Sequence, residues 1–164
     1  MGAALDFREV GTKVRFASFA ALLALVVALT ACSKSVPNEV DAQVSTLGTA
    51  EVTAQLIEIP GPFPPNDLYN YVYILKYKVL KTHRGSVPAE ILVGQYNPLK
   101  PREQAQDDVS GKVGGHVKSF RAGDIHRMAL ESPLDQFWMG GIVDKYFATS
   151  GTRYWAIWTN PGAN

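Results

Sequence analysis

One cysteine, Cys32, stands in 164 residues, so no internal disulfide can brace the fold and its stability has to come from an apolar core. Runs of one charge are missing as well. Of the 16 Lys and Arg and the 15 Asp and Glu, three and two fall in residues 1–31, which leaves 13 of each sign beyond that point. A balanced chain of this kind lacks both the basic stripe of a nucleic-acid binder and the polybasic patch that draws proteins to anionic lipid. Nucleic acid is therefore not an expected partner.

The motifs of common chemistries are also absent. No Gly-x-Ser-x-Gly elbow and no Ser-x-x-Lys pair occurs. Ser110-Gly111-Lys112-Val113-Gly114-Gly115 looks at first like a phosphate-binding loop. Gln106 stands where that motif has its first glycine, however, and Val113 replaces the hydroxyl residue after the lysine, so a flexible loop is expected. His83, His116 and His126 do not have the i, i+4 or short hairpin spacings of zinc ligands, and no thiolate is free to join them. No metal or other cofactor is expected. A pair of carboxylates can meet in space without leaving a sequence motif; Asp124, Glu131, Asp135 and Asp144 are the candidates, each more simply a turn or surface residue.

What is present begins near the N-terminus. Lys13 and Arg15 form a basic flank, and Phe16 to Leu29 follow with no charged residue. That run has the length of a secretory apolar region and falls short of the roughly 20 residues that a membrane-spanning helix needs. Small residues, Thr30 and Ala31, then precede Cys32. The segment Leu29-Thr30-Ala31-Cys32 resembles the lipobox of bacterial lipoproteins. The order of basic flank, apolar run, small residues and cysteine distinguishes it from an uncleaved anchor helix with a chance cysteine. The resemblance implies cleavage before Cys32, acylation of its sulfur with palmitate-class chains, and anchoring in the cell envelope. Ser33-Lys34 follows the cysteine in place of an inner-membrane-retaining aspartate, so in a two-membrane cell the resemblance implies an outer-membrane protein facing the periplasm. Met1 to Thr12 include Asp6 and Glu9, whereas bacterial signal flanks are short and acid-poor; the expected start of translation is later, at Val10 or Val14.

Three regions result: a signal peptide (1–31), the lipidated cysteine with a flexible tether (32–49), and a single domain (50–164). The tether is rich in Ser, Asn, Gln and Thr and carries no apolar period. About 115 residues suffice for one domain and not for two.

The domain reads as strands. Glu51 to Ile59 alternates, and Pro60-Gly61-Pro62-Phe63-Pro64-Pro65-Asn66-Asp67 then forms a stiff surface loop. In Tyr69 to Lys81 the odd positions give an aromatic face (Tyr69, Tyr71, Tyr73, Tyr77), and the even positions run from Val72 and Ile74 to Lys76 and Lys78. A turn at His83 to Ser86 leads to a third strand, Ala89 to Tyr96. Pro101 to Val109 is expected to be a short exposed helix with Pro101 in its first turn. Strands resume at Asp124 to Leu130 and at Ile142 to Phe147; Ser150-Gly151 signals a hairpin into Arg153 to Thr159.

Three strands, a connection with at most one short helix, then two or three more strands resemble the five-stranded OB-fold barrel and its netrin-like variant. A mostly β fold is expected, a five- to six-stranded OB-like barrel, with a β-sandwich or meander as the alternative. Barrels of this class bind oligosaccharides, peptides or single strands on an exposed face, where aromatic rings supply stacking area. The candidate binding residues are Tyr71, Tyr73, Lys76, Lys78, Arg127 and Trp155. Tyr71 and Tyr73 have the opposite parity to Lys76 and Lys78, so one regular strand can expose at most one of these sets; the alternative for the tyrosines is a core wall with hydroxyls at the barrel end. The expected function is a lipid-anchored binding or assembly module taking an envelope protein or glycan. A hydrolase of cell-wall or polysaccharide material is the rival. The netrin-like resemblance also implies metalloprotease inhibition through a free N-terminal cysteine, which a lipidated Cys32 behind a tether disfavours.

Overall fold

A computed structural model describes residues 41–163 apart from Gly111. The signal peptide, the lipobox with Cys32, and the tether through Val40 lie outside the described residues. Among those described, the elements in chain order are helix α1 (Ala42–Thr46), β1 (Ala50–Glu58), β2 (Tyr71–Arg84), β3 (Glu90–Tyr96), a 3-10 turn (Arg102–Gln104), β4 (Gly114–Gly115), β5 (Ile125–Glu131), a second 3-10 turn (Leu134–Gln136), β6 (Gly141–Val143) and β7 (Arg153–Pro161).

The sheet order is β1-β5-β7-β3-β2-β6, and an additional pairing of β1 with β2 closes five strands into a barrel. β1, β2 and β3 form an antiparallel meander; β7 runs parallel to β3 and antiparallel to β5, and β5 returns to β1. This is the OB-like barrel expected from the strand order. Two short strands lie outside the ring, β4 on β7 and β6 on β2.

Period-two alternation decides what fills the barrel. Val52, Ala54 and Leu56 of β1, Tyr71, Tyr73, Leu75 and Tyr77 of β2, Ile91 and Val93 of β3, and Met128 and Leu130 of β5 point inward as one core. Val117 and Phe120, from the connection before β5, join the same core. The opposite parity builds a second one. Val72, Ile74, Leu92, Tyr96, Trp155 and Ile157 lie on the outer wall of β2, β3 and β7, where Leu134, Trp138 and Val113 cover them. Trp138 stacks on Trp155 with ring centroids 5.8 Å apart and planes 10° from parallel. The cover sits close: a Cβ on Gly94 would fall 2.3 Å from Leu134 Cδ1 and 2.6 Å from Val72 Cγ1.

The structure corrects four expectations. Pro101 to Val109 is not a helix but a single 3-10 turn, because the Asp107 carboxylate accepts the backbone N–H groups of Val109 (3.0 Å) and Ser110 (2.9 Å) and turns the chain away. Arg102, expected on an exposed face, is buried. Ser150-Gly151 does not join a hairpin: β6 pairs in parallel with β2, and the Arg153 guanidinium ties the intervening loop through Asp144 and the carbonyls of Tyr146, Thr149 and Gly151. Residues 41–49, counted in the sequence with the tether, include a helix. Asp41 caps it by accepting the Gln43 N–H at 2.9 Å, Val44 is buried, and Arg84 donates to the carbonyls of Leu47 and Gly48 at its far end.

Candidate functional site

The six candidate binding residues are not brought together. Tyr71 and Tyr73 are fully buried in the barrel core, and their hydroxyls donate to the carbonyls of Pro64 and Gly61, the proline-rich loop across the barrel end. They are the core wall, with no exposed stacking surface. Trp155 is also buried, because the connection between β5 and β7 brings Trp138 and Leu134 over it. Lys76 and Lys78 do lie outside, as their parity requires; Lys76 pairs with Glu90 across the β2–β3 ladder at 2.8 Å. Arg127 is paired with the buried Glu51 at 2.6 Å on the β1–β5 side. A face made of these residues does not exist.

Three of the four carboxylate candidates are engaged with separate partners. Asp124 accepts the Arg121 N–H, Glu131 accepts the Thr49 hydroxyl, Asp144 holds Arg153, and Asp135 belongs to the second 3-10 turn. The three histidines are equally dispersed: His83 bonds Thr53, His126 bonds Tyr77, and His116 lies between Asp41 and Glu103. Among the described residues no group of three or more His, Cys, Asp and Glu is placed to hold a metal ion.

The outer β2–β3 face and the loops after β1 and after β5 are where OB-like barrels receive ligands. Here the chain covers that face itself with Leu134 and Trp138, and what remains open is the rim where the two loops meet. Tyr69, just before β2, packs against the backbone of Gly141 in β6, with a ring atom 3.7 Å from where a Cβ would stand. Next to this contact Leu68 is 86% exposed, Met139 91%, Tyr69 61% and Ile142 41%. Four large apolar side chains in water at one rim exceed the scattered exposure normal for a protein surface. The rim also carries a strand edge, since among the described residues β6 is the last strand of the sheet order and pairs with β2 alone.

An amide file underpins the rim. Asn66 donates to Asn97 Oδ1 (2.7 Å), Asn97 to Asn70 Oδ1 (2.8 Å), and Asn70 to Asp107 Oδ2 (2.9 Å), which also accepts the Tyr96 hydroxyl (2.8 Å). Asn97 holds φ at 43°, the left-handed region that asparagine tolerates better than most residues. Partial burial works to raise the Asp107 carboxyl, but the hydrogen bonds from Tyr96, Ser110 and Val109 outweigh it and hold the group below the usual range. The loop before β2 is thereby fixed to the connection after β3.

The rim residues lacked a motif in the sequence. The sequence does place the large apolar residues Phe137, Trp138 and Met139 in the connection between β5 and β6. Comparison of the chain with family models, with curated proteins and with solved structures returns no match.

Proposed function

We propose that this protein is a lipid-anchored lipoprotein of the bacterial envelope, held by Cys32, whose barrel is a binding or assembly module for another envelope protein. In a two-membrane cell the reading places it on the outer membrane, facing the periplasm. The anchoring part rests on the ordered signal Lys13 to Cys32. The binding part rests on one observation, the exposed apolar rim of Leu68, Tyr69, Met139 and Ile142 beside the open edge of β6. An exposed strand edge accepts a partner's strand, and flanking apolar side chains supply the burial that makes such an addition specific. A polysaccharide hydrolase draws less support, because Asp124, Glu131 and Asp144 are each engaged with a different partner.

The test is a crosslinking pull-down from intact cells of wild type, Cys32→Ala and the double variant Leu68→Ser/Met139→Ser. A partner set lost in both variants is the expected result. The same partners recovered from all three would overturn the proposal.

A further inference from the structure

On another part of the barrel, where β5 begins and β7 ends, a cleft of about 360 Å³ is lined by Lys118, Ser119, Arg121, Asp124, His126 and the Pro161–Gly162 backbone. We propose that this cleft binds a small oxyanion, a carboxylate or phosphate group, between the Arg121 guanidinium, the Ser119 hydroxyl and Nε2–H of His126.

The tautomer of His126 follows from the barrel interior. Thr159 donates to Gln95 Oε1 at 3.3 Å, which turns the Gln95 amide nitrogen toward Met128 Sδ and the Tyr77 phenol. Burial pushes the Tyr77 hydroxyl far above its ordinary value, so it keeps its proton. With its oxygen receiving Gln95, that proton goes to Nδ1 of His126, 3.0 Å away. Burial also pushes the imidazole down to about 4, against the pull of Asp124, so at neutral pH the ring carries one proton. That proton is on Nε2, which has no partner among the described residues. The file Thr159–Gln95–Tyr77–His126 is thus a chain of donors that ends in a donor.

The charge around the cleft has the matching sign. Lys118 is paired with Glu103, and Asp124 closes a turn onto the Arg121 N–H. Arg121 has no ion-pair partner among the described residues. Behind the cleft Arg102 is buried over the ring of Phe120, 5.2 Å from guanidinium to centroid, and Phe120 meets His126 edge-on at 5.4 Å. Among the described residues the Arg102 guanidinium donates to the carbonyls of Asn97 (2.7 Å) and Lys100 (3.1 Å), and its Nε is buried without a partner. Burial drags it down to about 10, still cationic at neutral pH. A buried cation without a carboxylate is costly, and an anion in the adjoining cleft offsets that cost. At the lining Arg121 faces Asp124, and the buried Arg102, which is not itself part of the lining, adds the uncompensated positive charge.

The experiment is an NMR titration of the folded domain with sodium phosphate in one arm and sodium acetate in another, each against chloride at equal ionic strength. A saturable shift of the His126 and Arg121 signals in either arm is expected, and the arm that saturates tells phosphate from carboxylate. Arg121→Ala, at an exposed position, is expected to weaken that binding about tenfold, and His126→Gln to weaken it as well. Shifts that stay linear in both arms, or affinity unchanged in both variants, would overturn the proposal.

Discussion

The Tyr77 phenol lies 3.0 Å from Nδ1 of His126 inside the closed barrel, with Tyr77 fully buried and His126 2% exposed. Because burial holds the folded-state imidazole at about 4, below its ordinary 6.5, the unfolded chain takes up a proton in this window that the folded one refuses. The stability contributed by neutral His126 is complete above pH 6.5 and is lost as pH falls toward 4. The loss is on the order of 3 kcal/mol across that range. Urea unfolding followed at several pH values should show the decline in the wild type, and His126→Gln should flatten it.

Gly94 is the point where the second core touches the β3 backbone. Gly94→Ala would drive a methyl group into Leu134 and Val72 at distances no relaxed contact allows. A loss of about 1–3 kcal/mol is expected, read as a lower urea midpoint with unchanged slope. Ala129→Gly, a buried small residue on another strand, serves as a comparison that creates no clash.

Trp138→Ala would remove the ring that stacks on Trp155 and packs at 4.9 Å against Tyr96. Truncations of this kind cost about 3–5 kcal/mol. If the five-strand barrel stands by its own interior, the variant keeps its far-ultraviolet signature while binding more of a hydrophobic dye. Complete loss of structure would show that the two cores fold as one.

Asp41 holds three groups at once: the Gln43 N–H, the Trp158 indole N–H at 2.7 Å and the Asn160 amide at 2.9 Å. Partial burial acts to raise its carboxyl, but these hydrogen bonds prevail and keep it below the ordinary carboxylate range. Asp41→Ala should cost about 1 kcal/mol from the lost cap alone. Limited proteolysis should then cut within 42–49 faster than in the wild type, and Trp158 fluorescence should shift to the red.

Much of the barrel was legible because β-strands that face a core on one side must alternate. The tyrosine face of β2 announced the barrel wall, and the proline-rich stretch announced the loop that caps it. Other parts leave no periodic trace. The pairing of β5 with β7 slips between Ala129 and Leu130, which inserts Ile157 as an extra residue and resets the parity of β7. Trp155 and Trp158 therefore both face outward, although their spacing assigns them to opposite sides; only the partner strand carries that information. Arg102 reads as surface by residue type, and its burial depends on Phe120 and on carbonyls supplied by Asn97 and Lys100. The rim is equally tertiary: Tyr69 and Gly141 lie about 70 residues apart and meet because β6 runs beside β2.

The position of β7 bears on when the chain can fold. Among the described strands it is the last in sequence, yet it sits between β3 and β5 in the ring. Until residues 153–161 have emerged, β3 and β5 each present an unpaired edge and the interior cannot close. Closure waits for residues 153–161, and a chain cut short before Arg153 would expose two strand edges to its neighbours.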